Sequence, residues 1–173
     1  YKKSIEINPK FSQPYNQMGY AYRFLGKYDE ASDAFKKYIA LIPDDPNPYD
    51  SYAELLMKMG KYEESIDNYK KALAVNKYFA ASHTGIASNL NFMGKYEDAR
   101  MQLQLFYDNA RDDGEQRGAC FAMAVSYVDE GDYEKALEQV EKIYTSNEKI
   151  QDASAMAGNL VTKGNILLFI EKI

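Results

Sequence analysis

The sequence predicts an all-α fold, an α-α solenoid of antiparallel helix pairs without strands. Three observations predict it. A six-residue pattern recurs four times: Gly26-Lys27-Tyr28-Asp29-Glu30-Ala31, Gly60-Lys61-Tyr62-Glu63-Glu64-Ser65, Gly94-Lys95-Tyr96-Glu97-Asp98-Ala99 and Gly131-Asp132-Tyr133-Glu134-Lys135-Ala136, its glycines stepping by 34, 34 and 37 residues. Apolar residues upstream of each glycine recur at three- and four-residue spacing, the period of one helix face. No stretch alternates apolar and polar with the period of two that a strand requires.

Each element of the pattern has a physical reading. The glycine stands where a helix must stop, because it enters the left-handed region without a Cβ clash. The acidic pair falls in the first turn of the next helix, where carboxylates meet the positive end of the dipole. Ala31, Ser65, Ala99 and Ala136 are small, so a second helix can approach closely there. The helices before the glycines carry Tyr15, Met18, Gly19 and Tyr22; Tyr49, Tyr52, Ala53 and Leu56; His83, Ile86, Ala87 and Leu90; and Cys120, Met123, Ala124 and Tyr127. Phe35, Tyr69, Leu103 and Val140 continue the apolar face of the helix that follows. One such pair cannot bury its apolar face alone, and stacked neighbours build a continuous core.

Composition narrows the function classes. The chain has 173 residues, 46% hydrophobic and 27% charged, which suits a folded domain or short solenoid. Its net charge of −5 and pI near 5.0 argue against nucleic acid, which calls for a basic footprint. The same balance disfavours an anionic membrane surface, and the apolar run 164–170 is too short to span a bilayer. Cys120 is the single cysteine and sits among Ala119, Phe121 and Ala122, so it reads as a buried thiol. A soluble chain is expected, the cytoplasm favoured over export, since no secretory leader is visible. Because the chain opens on Tyr1 and not on Met, further sequence is expected upstream.

The first full copy, with Tyr15, Met18-Gly19, Tyr22, Ala31, Phe35 and Pro43, resembles the tetratricopeptide repeat. The resemblance divides one solenoid over 1–173 into a half-repeat at 1–11, repeats at 12–45, 46–79, 80–113 and 117–150, and a fifth begun at 151–173. Residues 1–9 match the second helix of a preceding repeat. Glu171-Lys172-Ile173 stand where Gly-Lys-Tyr stood before, if Gly164 is the helix glycine of repeat five. There are departures: Lys77 and Arg111 replace the terminal proline, and Phe106 and Ile143 replace a preferred alanine. Three extra residues near Asp112-Asp113-Gly114 imply a longer helix or turn, and residues 149–157 imply an extended first helix in repeat five.

The resemblance implies a concave groove lined by the first helix of each pair and occupied by a peptide or a partner helix. The groove positions include Asn16, Gln17, Tyr20, Asp50, Glu54, Ser88 and Asn91, which are polar, and Phe121, Val125 and Val128, an apolar stripe. Amides and hydroxyls can bond a peptide backbone without demanding one sequence. An exposed apolar stripe marks a partner site, unless the extended helix of repeat five folds over it and makes it core. One subclass of the family clamps acidic chaperone tails with lysine, asparagine and arginine. The matching positions here are Asn16, Tyr20, Ser51, Ala81 and Gly85, or one repeat on Asp50, Glu54, Gly85, Gly118 and Ala122. Neither set supplies the cations that a carboxylate needs. A neutral or basic segment therefore fits the front of the groove better than a carboxylate tail.

Catalytic and metal signatures are missing from the sequence: no nucleophile elbow, zinc-protease helix or dinucleotide fingerprint. His83, the single histidine, occupies the family's packing-aromatic position and reads as structural. The turn at Asp44-Asp45-Pro46-Asn47 lacks the glycine and bidentate glutamate of a calcium loop. No enzyme, cofactor or metal is therefore expected. The leading expectation is a non-catalytic interaction scaffold. The alternatives are a self-association module and a regulatory arm of an enzyme outside this chain.

Overall fold

The structure, a computed structural model, describes residues 1–149 and 151–170. Ile150 and the expected Gly-Lys-Tyr counterpart Glu171-Lys172-Ile173 lie outside the described residues. Ten helices and no strand are found among the described residues: α1 Lys2–Ile7, α2 Gln13–Phe24, α3 Tyr28–Leu41, α4 Pro46–Lys58, α5 Tyr62–Val75, α6 Ala80–Phe92, α7 Tyr96–Asp108, α8 Asp113–Glu130, α9 Tyr133–Lys149 and α10 Ala153–Ile170.

The repeated glycines adopt the left-handed backbone that their position demands, with φ of 71°, 74°, 71° and 89° at Gly26, Gly60, Gly94 and Gly131. The next residue's N–H then donates back across the helix end: Lys27 to Tyr22 O at 2.9 Å, Lys61 to Leu56 O at 2.9 Å, Lys95 to Leu90 O at 2.8 Å and Asp132 to Tyr127 O at 2.8 Å. This six-to-one bond satisfies a carbonyl that the helix leaves unpaired and turns the chain into the next helix. At other starts an acid does the capping. Asp45 accepts from Asn47 N at 2.8 Å with Pro46 opening α4. Asp112 accepts from Glu115 N at 2.9 Å and opens α8.

The extra residues near Asp112 thus become helix: α8 has 18 residues against 13 in α4. The extension expected at 149–157 is shared between two helices. Lys149 ends α9, and Asp152 accepts from Ala155 N at 2.9 Å to start α10.

Stacked repeats touch only their neighbours, so contacts thin out along such a chain. Here they resolve into two compact units, Tyr1–Asn89 and Leu90–Ile173. In the first unit α2 packs on α3, α3 on α4 and α4 on α5. Ala31, Phe35 and Leu55 form the core there, with Tyr20, Tyr22, Tyr28, Tyr52 and Met59 packed around them. In the second unit α7, α8, α9 and α10 pack in sequence, and Ala124, Ala136, Val140 and Ile166 form a core cluster. The four small residues of the repeat are fully buried, as are Phe35, Tyr69, Leu103 and Val140.

Candidate functional site

In the first unit, the helices that open each pair are tied to one another by polar side chains. Tyr20 on α2 donates to Ser51 Oγ on α4 at 3.1 Å. Its ring meets Phe35 edge-on at 5.2 Å. Arg23, one turn further along α2, pairs with Glu54 at 2.8 Å and lies over the Tyr20 ring at 4.9 Å. Between α4 and α6, Ser82 donates to Asp50 Oδ1 at 2.8 Å. These partners stand 31, 31 and 32 residues apart, just under one repeat.

The groove residues expected from sequence fall in different environments. Gln17 is exposed, and Asn16, Tyr20, Glu54 and Ser88 are half-buried. Asn16 Oδ1 is buried and has no hydrogen-bond partner among the described residues. Asp50, expected as a surface acid, is buried together with Ser51. Burial pushes the Asp50 carboxyl up to about 6; the Ser82 hydroxyl opposes the rise and the Glu54 carboxylate adds to it. Glu54, expected in the groove, is paired with Arg23. Burial likewise raises the Tyr20 and Tyr69 hydroxyls.

Beneath this face, Ser65 donates to Ala53 O at 2.8 Å and accepts from Asn89 Nδ2 at 3.1 Å. His83 is buried, with a ring nitrogen 2.9 Å from Lys77 O. That is a packing environment, and no group of three or more metal-binding side chains occurs among the described residues.

In the second unit, Asn91 accepts from Ser126 Oγ at 2.9 Å. Helix α8 buries Ala119, Cys120, Met123, Ala124 and Ser126. On its other side Phe121 and Val125 remain 51% and 42% exposed. Val128 departs from this pair, because it packs against the cluster that contains Ile166 of α10. The apolar stripe is thus packed into core at Val128 and open at Phe121 and Val125. Burial raises the Cys120 thiol, which keeps it in the unreactive form. Arg100 pairs with Glu130 at 2.7 Å and stacks over Tyr127 at 4.3 Å.

Arg23, Ser51 and Ser82, the partners of Glu54, Tyr20 and Asp50, were not expected from the sequence as such. The signal available was their spacing of about one repeat with a donor facing an acceptor.

Helix-pair repeats whose opening helices present a common set of side chains define a class of protein interaction scaffold. Models of the tetratricopeptide repeat match residues 1–31, 47–79 and 118–150. These segments together exceed half of the chain, and the chain belongs to the tetratricopeptide repeat family. A search of the curated proteins found no match.

Solved structures share the fold. MamA is 18% identical, with a TM-score of 0.67 over 88% of this chain and 87% of that one. PilF of Pseudomonas aeruginosa is 13% identical, with a TM-score of 0.65 over 93% and 78%. YrrB, described as a protein of this repeat class with an unusual peptide-binding site, is 20% identical, with a TM-score of 0.59 over 91% and 78%. No helix among the described residues is long and apolar enough to cross a membrane.

Proposed function

We propose that the chain binds a peptide or a partner helix stoichiometrically, without turnover, on the side chains of its opening helices. The open end of the α8 stripe carries this reading. Phe121 and Val125 lie exposed on a helix whose opposite side is fully engaged in core. Such apolar area in water is retained where a partner covers it. In the first unit, Gln17, Asn16 and Ser88 offer amide and hydroxyl groups suited to a peptide backbone. A neutral or basic segment suits that face better than a carboxylate tail, because the Arg23 guanidinium is engaged by Glu54.

The test is affinity capture with the native chain and with Phe121→Asp/Val125→Asp, followed by mass spectrometry of what is retained. Circular dichroism first establishes that the variant folds. The reading expects at least one partner that the native chain holds and the variant loses. Identical capture by both would overturn it.

Self-association is favoured by a separate observation: α10 leaves Leu160, Val161, Leu167 and Leu168 exposed. Light scattering across a range of concentrations tests it. A mass that stays at 19.8 kDa removes this second reading.

A further inference from the structure

The Asp50 carboxylate has an unusual position for an acid. It is 8% exposed, and Ser82 Oγ at 2.8 Å is its one hydrogen-bond donor among the described residues. Every element packed around it adds to its isolation. Glu54, one turn along α4, brings a second carboxylate. Arg23 of α2 is the nearby cation, and it is committed to Glu54 at 2.8 Å. Tyr20 of α2 gives its hydroxyl to Ser51, and Tyr69 of α5 is a buried neutral phenol that feels the Asp50 charge. From α3, Lys36 reaches the Tyr52 ring at 5.8 Å instead. From α6, His83 directs a ring nitrogen to Lys77 O. An ionised Asp50 is therefore a buried charge with one hydroxyl partner and a like charge beside it, an arrangement that opposes ionisation twice.

We propose that Asp50 is a proton-operated joint between α4 and α6 in the first unit, tight when its carboxyl group is neutral and loosened when it is ionised. The inference rests on the burial of Asp50 and its bond to Ser82 and does not require a bound partner. Its sign follows from linkage. The folded state holds this proton more tightly than the unfolded chain, so the joint is most stable below the ordinary carboxylate range. It weakens as pH rises from there through the folded value of about 6, and is level above it. Mildly acidic conditions thus stiffen the first unit, and neutral conditions relax it.

The test is urea unfolding of the native chain and of Asp50→Asn at closely spaced pH values between about 4 and 8, with a carbon-detected NMR titration of the Asp50 carboxyl in the native chain. The amide keeps the volume and the bond to Ser82 but cannot ionise. The urea midpoint of the variant should rise relative to native as pH increases, and the gap should stop growing above neutrality. Ser82→Ala removes the donor that favours the charged form, so it should shift the Asp50 titration further upward. A constant gap between native and variant across the range would overturn the proposal. So would an Asp50 resonance that titrates in the ordinary carboxylate range, which remains decisive even if the variant fails to fold.

Discussion

Gly85 and Gly118 both sit within helices, yet the same substitution should act on them with opposite sign. A Cβ at Gly85 in α6 would lie 2.3 Å from Tyr69 Cζ and 2.6 Å from both ring Cε atoms. The Tyr69 ring is only 2% exposed and has no room to retreat. Overpacking of this kind costs about 1–3 kcal/mol, and a penetration of over 1 Å into van der Waals contact belongs at the upper end. The gain in helix propensity from Gly to Ala returns about 1 kcal/mol. Gly85→Ala should therefore lose roughly 2 kcal/mol. At Gly118 in α8 an added Cβ meets nothing within 4 Å. Gly118→Ala should gain about 0.5–1 kcal/mol from the propensity term alone. Urea unfolding followed by circular dichroism measures both, with unchanged m-values confirming that the same transition is compared. If Gly85→Ala were as stabilising as Gly118→Ala, the close approach of α6 to Tyr69 would be refuted.

Other outcomes follow from single contacts. Ser65→Ala should cost about 1 kcal/mol in urea unfolding, because Ala53 O and Asn89 Nδ2 each lose a buried hydrogen bond to the hydroxyl, while Asn89 Nδ2 keeps its bond to Gly85 O at 2.8 Å. Arg23→Ala removes a half-exposed ion pair and should cost at most about 1 kcal/mol, a loss that shrinks in high salt. Gly94→Ala should cost roughly 1–2 kcal/mol despite the open space around it, since φ of +71° is strained for any residue with a Cβ. The Cys120 thiol should react slowly with a thiol reagent in the native chain and fast in urea, as its burial and raised titration require.

The fold was legible because the repeat encodes its contacts locally. Gly26 to Ala31 holds a helix stop, a helix start and a close-approach residue within six positions, and each behaves in the structure as its chemistry dictates. The Gly19–Phe35 contact was readable for the same reason: an absent side chain on one helix accommodates a ring on the next, 2.5 Å from where a Cβ would stand. The polar side chains were less legible. Whether Asp50 faces water depends on Ser82, 32 residues away, and whether Glu54 carries free charge depends on Arg23, 31 residues before it. Position in the repeat assigns a residue to a helix face. It does not say whether the neighbouring repeat supplies a partner. The stripe on α8 divided for a similar reason, as Val128 packs against the cluster of Ala124, Ala136, Val140 and Ile166 while Phe121 and Val125 do not belong to it.

On the proposed reading, the opening helices of the pairs carry the partner. A photo-crosslinking residue placed at Gln17 or Phe121 on those helices, and at Lys37 or Lys70 on α3 and α5, tests it most directly, since all four positions are exposed. Crosslinks to a captured protein should form from Gln17 or Phe121 and not from the two lysine positions. Crosslinks confined to Lys37 and Lys70 would contradict it and move the binding surface to the second helix of each pair.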